Sequence, residues 1–224
     1  MMKKYLLIFL VLFSANMVIA QYGWTEVELH LKNGKVLNGE AKLTMMSAGI
    51  NMGKEKLKFR DKNKKNKSKH LPEEVDFAVF TINYKEKIDG EKFERTRIEK
   101  YIPVYINQRQ TRMGFVELMV DGKLKLVGRT VSVQTGGGFM PATGAPNSAP
   151  IYQPGFMGIH NQVMILREGE KPEVFNQVSL LKSFKNRAMD YFEDCPVLKT
   201  KLENKDFVKE DLQDIVKFYN SNCN

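Results

Sequence analysis

The stretch Thr25-Glu26-Val27-Glu28-Leu29-His30-Leu31-Lys32-Asn33-Gly34 decides the fold class. Val27, Leu29 and Leu31 alternate with Glu26, Glu28, His30 and Lys32, the period-two pattern of a strand with one buried face. Asn33-Gly34 tolerates the positive φ of a type I′ turn, so the chain should reverse there. The return strand is expected over Val36 to Leu43, with Gly39 marking a bulge.

Strand patterns continue toward the C-terminus. Further strands are expected at Lys56 to Arg60, Asp76 to Tyr84, Phe93 to Ile106 and Gly114 to Val120. Asp121-Gly122 should turn the chain into Lys123 to Val133 as a second hairpin. Gln162 to Arg167 and Glu173 to Val178 complete the set. Short strands at regular spacing, without helices between them, point to an antiparallel sheet or a barrel-like domain.

One long segment, 134 to 161, interrupts the rhythm. It carries Gly136-Gly137-Gly138, Pro141, Gly144, Pro146, Pro150, Pro154 and Gly155, and reads as a mobile loop between two strands. The triple glycine is no phosphate cradle, because no Lys-Ser/Thr pair and no helix pattern follow it. Phe139, Met140, Ile151, Tyr152, Phe156 and Met157 would let the loop dock on a partner or fold back on the sheet.

After Ser179 the period changes to that of a helix. Phe184, Ala188, Tyr191, Phe192 and Cys195 share one face, and Pro196 suits the first turn of a second helix carrying Leu198 and Leu202. Val208, Leu212, Ile215, Val216, Tyr219 and Cys223 repeat the spacing on a third. The fold class is therefore α+β, a mainly antiparallel sheet or barrel-like domain over 21–178 and a small three-helix segment over 179–224.

Both cysteines continue the apolar stripe of their own helix, which places Cys195 and Cys223 within plausible bonding reach. The alternative is two separate buried thiols. The compartment bears on that choice. Lys3 and Lys4 precede an apolar core, Tyr5 to Phe13, and Val18-Ile19-Ala20 suits a signal peptidase. Residues 1–20 thus read as a signal peptide cut before Gln21, the alternative being an uncleaved N-terminal anchor. An exported protein, periplasmic or extracellular, with no transmembrane segment in the mature chain, favours the disulfide.

The charge is local. The whole chain carries a formal +9, and +7 remains after the signal is removed. Lys54 to His70 alone contributes +7, nine Lys or Arg against Glu55 and Asp61, so the rest of the mature chain is neutral. Lys62, Lys64, Lys65, Lys67 and Lys69 form the densest part and are the candidate anion-binding residues. Lys62 to Lys69 contain no aromatic residue and so no stacking platform for single-stranded nucleic acid, and nucleic acid is not expected as a partner. It reads either as a solvated loop or as a mobile contact for an anionic envelope surface.

No catalytic, cofactor-binding or metal-ligating constellation is legible. Glu73-Glu74 are neighbours pointing to opposite sides and read as a turn entering the next strand. His30, His70 and His160 are far apart in sequence. Hydrophobic residues at 42% and charged residues at 27% exclude a disordered, collagen-like or multi-span membrane chain.

Residues Tyr191-Phe192-Glu193-Asp194-Cys195-Pro196 and Phe218-Tyr219-Asn220-Ser221-Asn222-Cys223 carry a resemblance. They are similar to the C-terminal "F..DCP.L" and "YN..C" blocks of uncharacterised secreted proteins of Bacteroidetes-type Gram-negative bacteria, which follow a β-rich region. Leu31-Lys32-Asn33-Gly34 and Leu71-Pro72-Glu73-Glu74-Val75 resemble that β-rich region. The resemblance implies an exported protein and carries over no catalytic residue; the Gly/Pro-rich segment departs from it.

The functional expectation is an exported, non-enzymatic binding or cell-envelope-associated module without cofactors, its partner an anionic envelope surface or another envelope protein. The rival is a hydrolase whose site is assembled from distant residues. A concave pocket with convergent Asp, Glu or His would favour the rival, and a flat sheet with an exposed apolar loop the module.

Overall fold

A computed structural model of the chain describes residues 23–43, 46–47, 55–107, 109–135, 138–140, 151–153, 156–176 and 182–223. The expected signal peptide lies outside them. The strands are β1 Thr25–Leu31, β2 Val36–Leu43, β3 Met46–Ser47, β4 Leu57–Asp61, β5 Lys67–His70, β6 Val75–Ile88 and β7 Glu91–Tyr105. They continue as β8 Met113–Val120, β9 Leu124–Thr135, β10 Gly138–Met140, β11 Ile151–Gln153, β12 Phe156–Arg167 and β13 Glu173–Val174. The helices are α1 Phe184–Tyr191, α2 Pro196–Glu203 and α3 Leu212–Asn222.

The main sheet runs β13-β12-β9-β8-β7-β6-β1-β2-β4-β5. Neighbours along this path are antiparallel; among the described residues only β3 pairs in parallel, Met46 and Ser47 lying opposite Val131 and Ser132 of β9. That short contact reveals the curvature. A flat sheet would set β2 about 24 Å from β9, five strand steps away. The chain from Leu43 to Met46 spans at most about 10 Å. The sheet must therefore curl, and it does so without closing, because β13 and β5 remain edges. It is an open curled sheet and not a barrel.

Curling buries the face that the alternation marked. Val27, Leu29, Ala41, Leu57, Phe59, Ala78, Phe80 and Phe115 form one core inside the curl. A second core joins sheet to helices: Leu124, Leu126, Ile165 and Phe175 meet Ala188, Phe192, Leu198, Leu202, Ile215 and Val216. The reverse face of the same strands buries Val116, Val127 and Met164. The helical tail thus caps one end of the sheet and shares its core.

Three expectations change. Gly39 marks a close approach, not a bulge: the β1–β2 register is unbroken through it, and a Cβ there would overlap the Arg60 carbonyl oxygen and the Phe59 ring. The described parts of the Gly/Pro-rich segment are strand: Phe156–Asn161 continue β12 against Thr130–Thr135, and β10 pairs with β11; residues 136–137, 141–150 and 154–155 lie outside the described residues. In the basic segment Lys62, Lys64 and Lys65 lie in an exposed turn between two strands, while Lys67 and Lys69 belong to strand β5 rather than to a loop. Asp61 organises its turn, accepting from the Lys65 amide at 2.9 Å and the Asn66 side chain at 2.7 Å.

Candidate functional site

The curl leaves a cavity of about 380 Å³ on its concave side. Strand alternation decides what faces it. Arg97, Glu99 and Tyr101 occupy alternate positions of β7 and line one wall with Phe80 and Ile82 of β6. Tyr101 lies opposite Glu117 on β8, Glu117 opposite Gly128 on β9, and Gly128 opposite Val163 on β12. Gly128 contributes no side chain to this row, and a Cβ there would come within 3.2 Å of the Met119 sulfur.

The β7 wall is a connected network. Glu99, 9% exposed, receives Arg97 Nε at 2.7 Å on one oxygen and the Tyr101 hydroxyl at 3.2 Å on the other. Burial, and then the Glu99 charge, push the Tyr101 hydroxyl well above the usual phenol range. Glu117 is also raised, first by burial and then by Glu99, with Arg97 opposing. Among the described residues the Glu117 carboxylate accepts no hydrogen bond.

The second polar cluster sits where the sheet forks. Only Glu117 to Val120 of β8 pair with β9; further along, β9 takes β3 and β12 as neighbours. Glu55, 7% exposed, fills the fork, and its Oε2 accepts the Phe115 amide hydrogen at 3.0 Å. Gly114 makes room, since a Cβ there would overlap that oxygen. Burial raises the Glu55 carboxyl to about 7 against the Phe115 amide and the charges of Arg129 and Arg112. Arg129 in turn donates to Gln162 Oε1 from Nε at 2.8 Å and Nη2 at 2.6 Å.

None of the five lysines singled out from the sequence reaches the cavity. Lys62, Lys64 and Lys65 lie in the β4–β5 turn, Lys67 and Lys69 on the edge strand β5, and all five are exposed. Cys195 and Cys223 are bonded, with Cα atoms 5.4 Å apart. Glu73 and Glu74 fall in a 3-10 turn, where Glu74 accepts the Leu71 amide hydrogen at 3.1 Å. His30 stacks on Phe77 at 4.0 Å and contacts Glu28, away from the cavity. Among the described residues no three His, Cys, Asp or Glu side chains converge as a metal site, and no helix is long and apolar enough to cross a membrane.

Glu55, Glu99, Tyr101, Glu117 and Arg129 escaped the sequence reading. A faint signal existed for one: Glu117 is the lone charge in the apolar run Met113-Gly114-Phe115-Val116-Glu117-Leu118-Met119-Val120. No protein-family model matches the chain, and neither does any curated protein or solved structure.

Proposed function

We propose that the chain is an exported, non-enzymatic binding module of the cell envelope whose cavity holds a small hydroxyl-bearing ligand of saccharide type. The observation that carries this is the concave wall itself: a half-buried Glu117 acceptor without a donor among the described residues, beside the Phe80–Tyr101 ring pair at 5.2 Å. Aromatic faces with a few convergent polar groups suit a ligand that is apolar on one side and donates hydrogen bonds on the other. The disulfide supports an oxidising compartment. Kinship with the secreted family that the tail resembles is part of the same proposal.

One observation favours a second reading, hydrolysis. The cavity gathers Glu55, Glu99 and Glu117, and the environment of Glu117 keeps it protonated to higher pH beside the arginine-paired Glu99. A carboxyl kept protonated beside an ion-paired carboxylate can serve as the acid in such chemistry. The binding reading stands first because Glu99 is already engaged by Arg97 and Tyr101, while glycoside hydrolysis needs two carboxyl groups free to flank one bond.

The experiment is a ligand-observed NMR screen of soluble mono- and disaccharides, run beside a turnover assay on nitrophenyl glycosides. Binding without turnover, abolished by Glu117→Gln, supports the module. Turnover abolished by the same substitution establishes the hydrolase. No retained saccharide and no turnover would end both readings.

A further inference from the structure

The curl has a second charged feature, at the β2, β4 and β5 positions that alternate with the buried Ala41, Leu57 and Phe59. Lys42 of β2 lies opposite Lys58 of β4, and Lys58 opposite Lys69 of β5. Three ammonium groups therefore stand in one row across three adjacent strands, where like charges directly opposite destabilise a sheet. Among the described residues no carboxylate pairs with any of the three. The next row runs Glu26, Glu40, Arg60, Lys67, acidic toward β1 and basic toward the β5 edge, with Glu40 and Arg60 bridged.

Trp24 closes the row at its β1 end. Lys42 Nζ lies 5.3 Å from its ring centre and the Arg60 guanidinium 4.3 Å. Trp24 is the only tryptophan in the chain. A half-buried tryptophan beside lysines is the pairing found where proteins meet the headgroup layer, apolar at one end and wet at the other.

We infer that this face, centred on Lys42, Lys58 and Lys69 with Trp24 at its margin, docks on an anionic phospholipid surface. The three lysines, with Lys67 at the β5 end of the next row, spread positive charge over an area of three strands, which matches a plane of headgroup phosphates. The lysines of the β4–β5 turn extend the field beyond the face. The inference deepens the envelope half of the proposed function. Lys42 also borders the cavity, whereas Lys58 and Lys69 do not. Vesicle binding lost in Lys58→Gln, Lys69→Gln and saccharide binding lost in Glu117→Gln therefore fail separately.

The test uses the mature chain with phosphatidylcholine vesicles, with and without phosphatidylglycerol. Expected are binding only to the anionic vesicles, loss at high salt, and quenching of Trp24 fluorescence by brominated lipid. The triple variant Lys42→Gln, Lys58→Gln, Lys69→Gln should bind on the order of a hundredfold more weakly, about fivefold per lysine. Lys62→Gln, Lys64→Gln, Lys65→Gln should lose less, because those side chains stand off the face. Thermal melting checks both variants; relief of like-charge repulsion should leave the row variant at least as stable. Equal losses in the two variants, or binding without quenching of Trp24, would overturn the inference. So would wild type binding no vesicle at low ionic strength, or soluble dextran sulfate binding it while vesicles do not.

Discussion

The Glu55 carboxylate accepts the amide hydrogen of Phe115 at 3.0 Å across 60 residues of chain, and so plugs the place where β8 and β9 part. A β9 neighbour would otherwise be the natural partner at this point of the sheet. A side chain does this at the cost of burying an acid, and the arginines nearby offset that cost only in part.

Stability should therefore fall with rising pH through this group. Its carboxyl is raised from 4.5 to about 7, so between those values the folded chain keeps a proton that the unfolded chain has released. The loss is on the order of 3 kcal/mol and levels off above the folded value. Glu55→Gln keeps an acceptor for Phe115 and removes the charge. Denaturant titrations at about pH 5 and about pH 8 should find the variant close to wild type at the first and more stable at the second. Taking the difference cancels Glu117, which is raised as well. Equal pH dependence in the two proteins would refute the assignment.

The disulfide should hold the tail. Cys195 and Cys223 are 28 residues apart in sequence, and closing such a loop is worth about 3.5 kcal/mol on chain-entropy reasoning. Both residues belong to the core that contains Leu124, Leu126 and Ile165. Reduction should raise hydrogen exchange first in α1 to α3, then at the ends of β9 and β12, and leave β1, β2 and β4 protected. Free thiols at both positions in the unreduced, denatured protein would rule the bond out.

Asn220 is the polar latch between tail and sheet. Its side-chain oxygen accepts the Leu124 amide hydrogen at 2.9 Å, and its nitrogen donates to the Leu124 carbonyl at 2.8 Å. Asn220→Ala leaves both backbone groups without partners, at about 1–3 kcal/mol. Asn220→Asp keeps only the acceptor and should lose part of that amount. Equilibrium unfolding reads both; an alanine variant as stable as wild type would contradict the role.

The secreted form should begin at Gln21. Intact mass of protein recovered from an envelope fraction decides this, and retention of Met1 would exclude cleavage.

How legible the fold was depends on the range of the signal. Asn33-Gly34, Asp121-Gly122 and the apolar stripes of the helices are local patterns. Both pairs sit in hairpins, the first with positive φ at Gly34 and not at Asn33. The stripes became α1 to α3, with Val208 left exposed ahead of α3. The Gly/Pro-rich segment misled because turn residues dominate its composition while β-sheet pairing rescues its flanks. The five lysines were visible as charge, but their hairpin hung on Asp61, and Lys42 entered the row only through cross-strand register. The cavity was invisible for the same reason. Glu55, Glu99, Glu117 and Arg129 belong to separate segments that only the curl brings to one side.

The cavity reading is most directly tested by amide NMR on the isotopically labelled mature chain. A saccharide retained in the screen should move the Tyr101, Glu117 and Gly128 amides saturably, with one shared affinity, and Glu117→Gln should abolish the response. Saturable shifts confined to residues outside the concave wall, or unchanged binding in the variant, would contradict it.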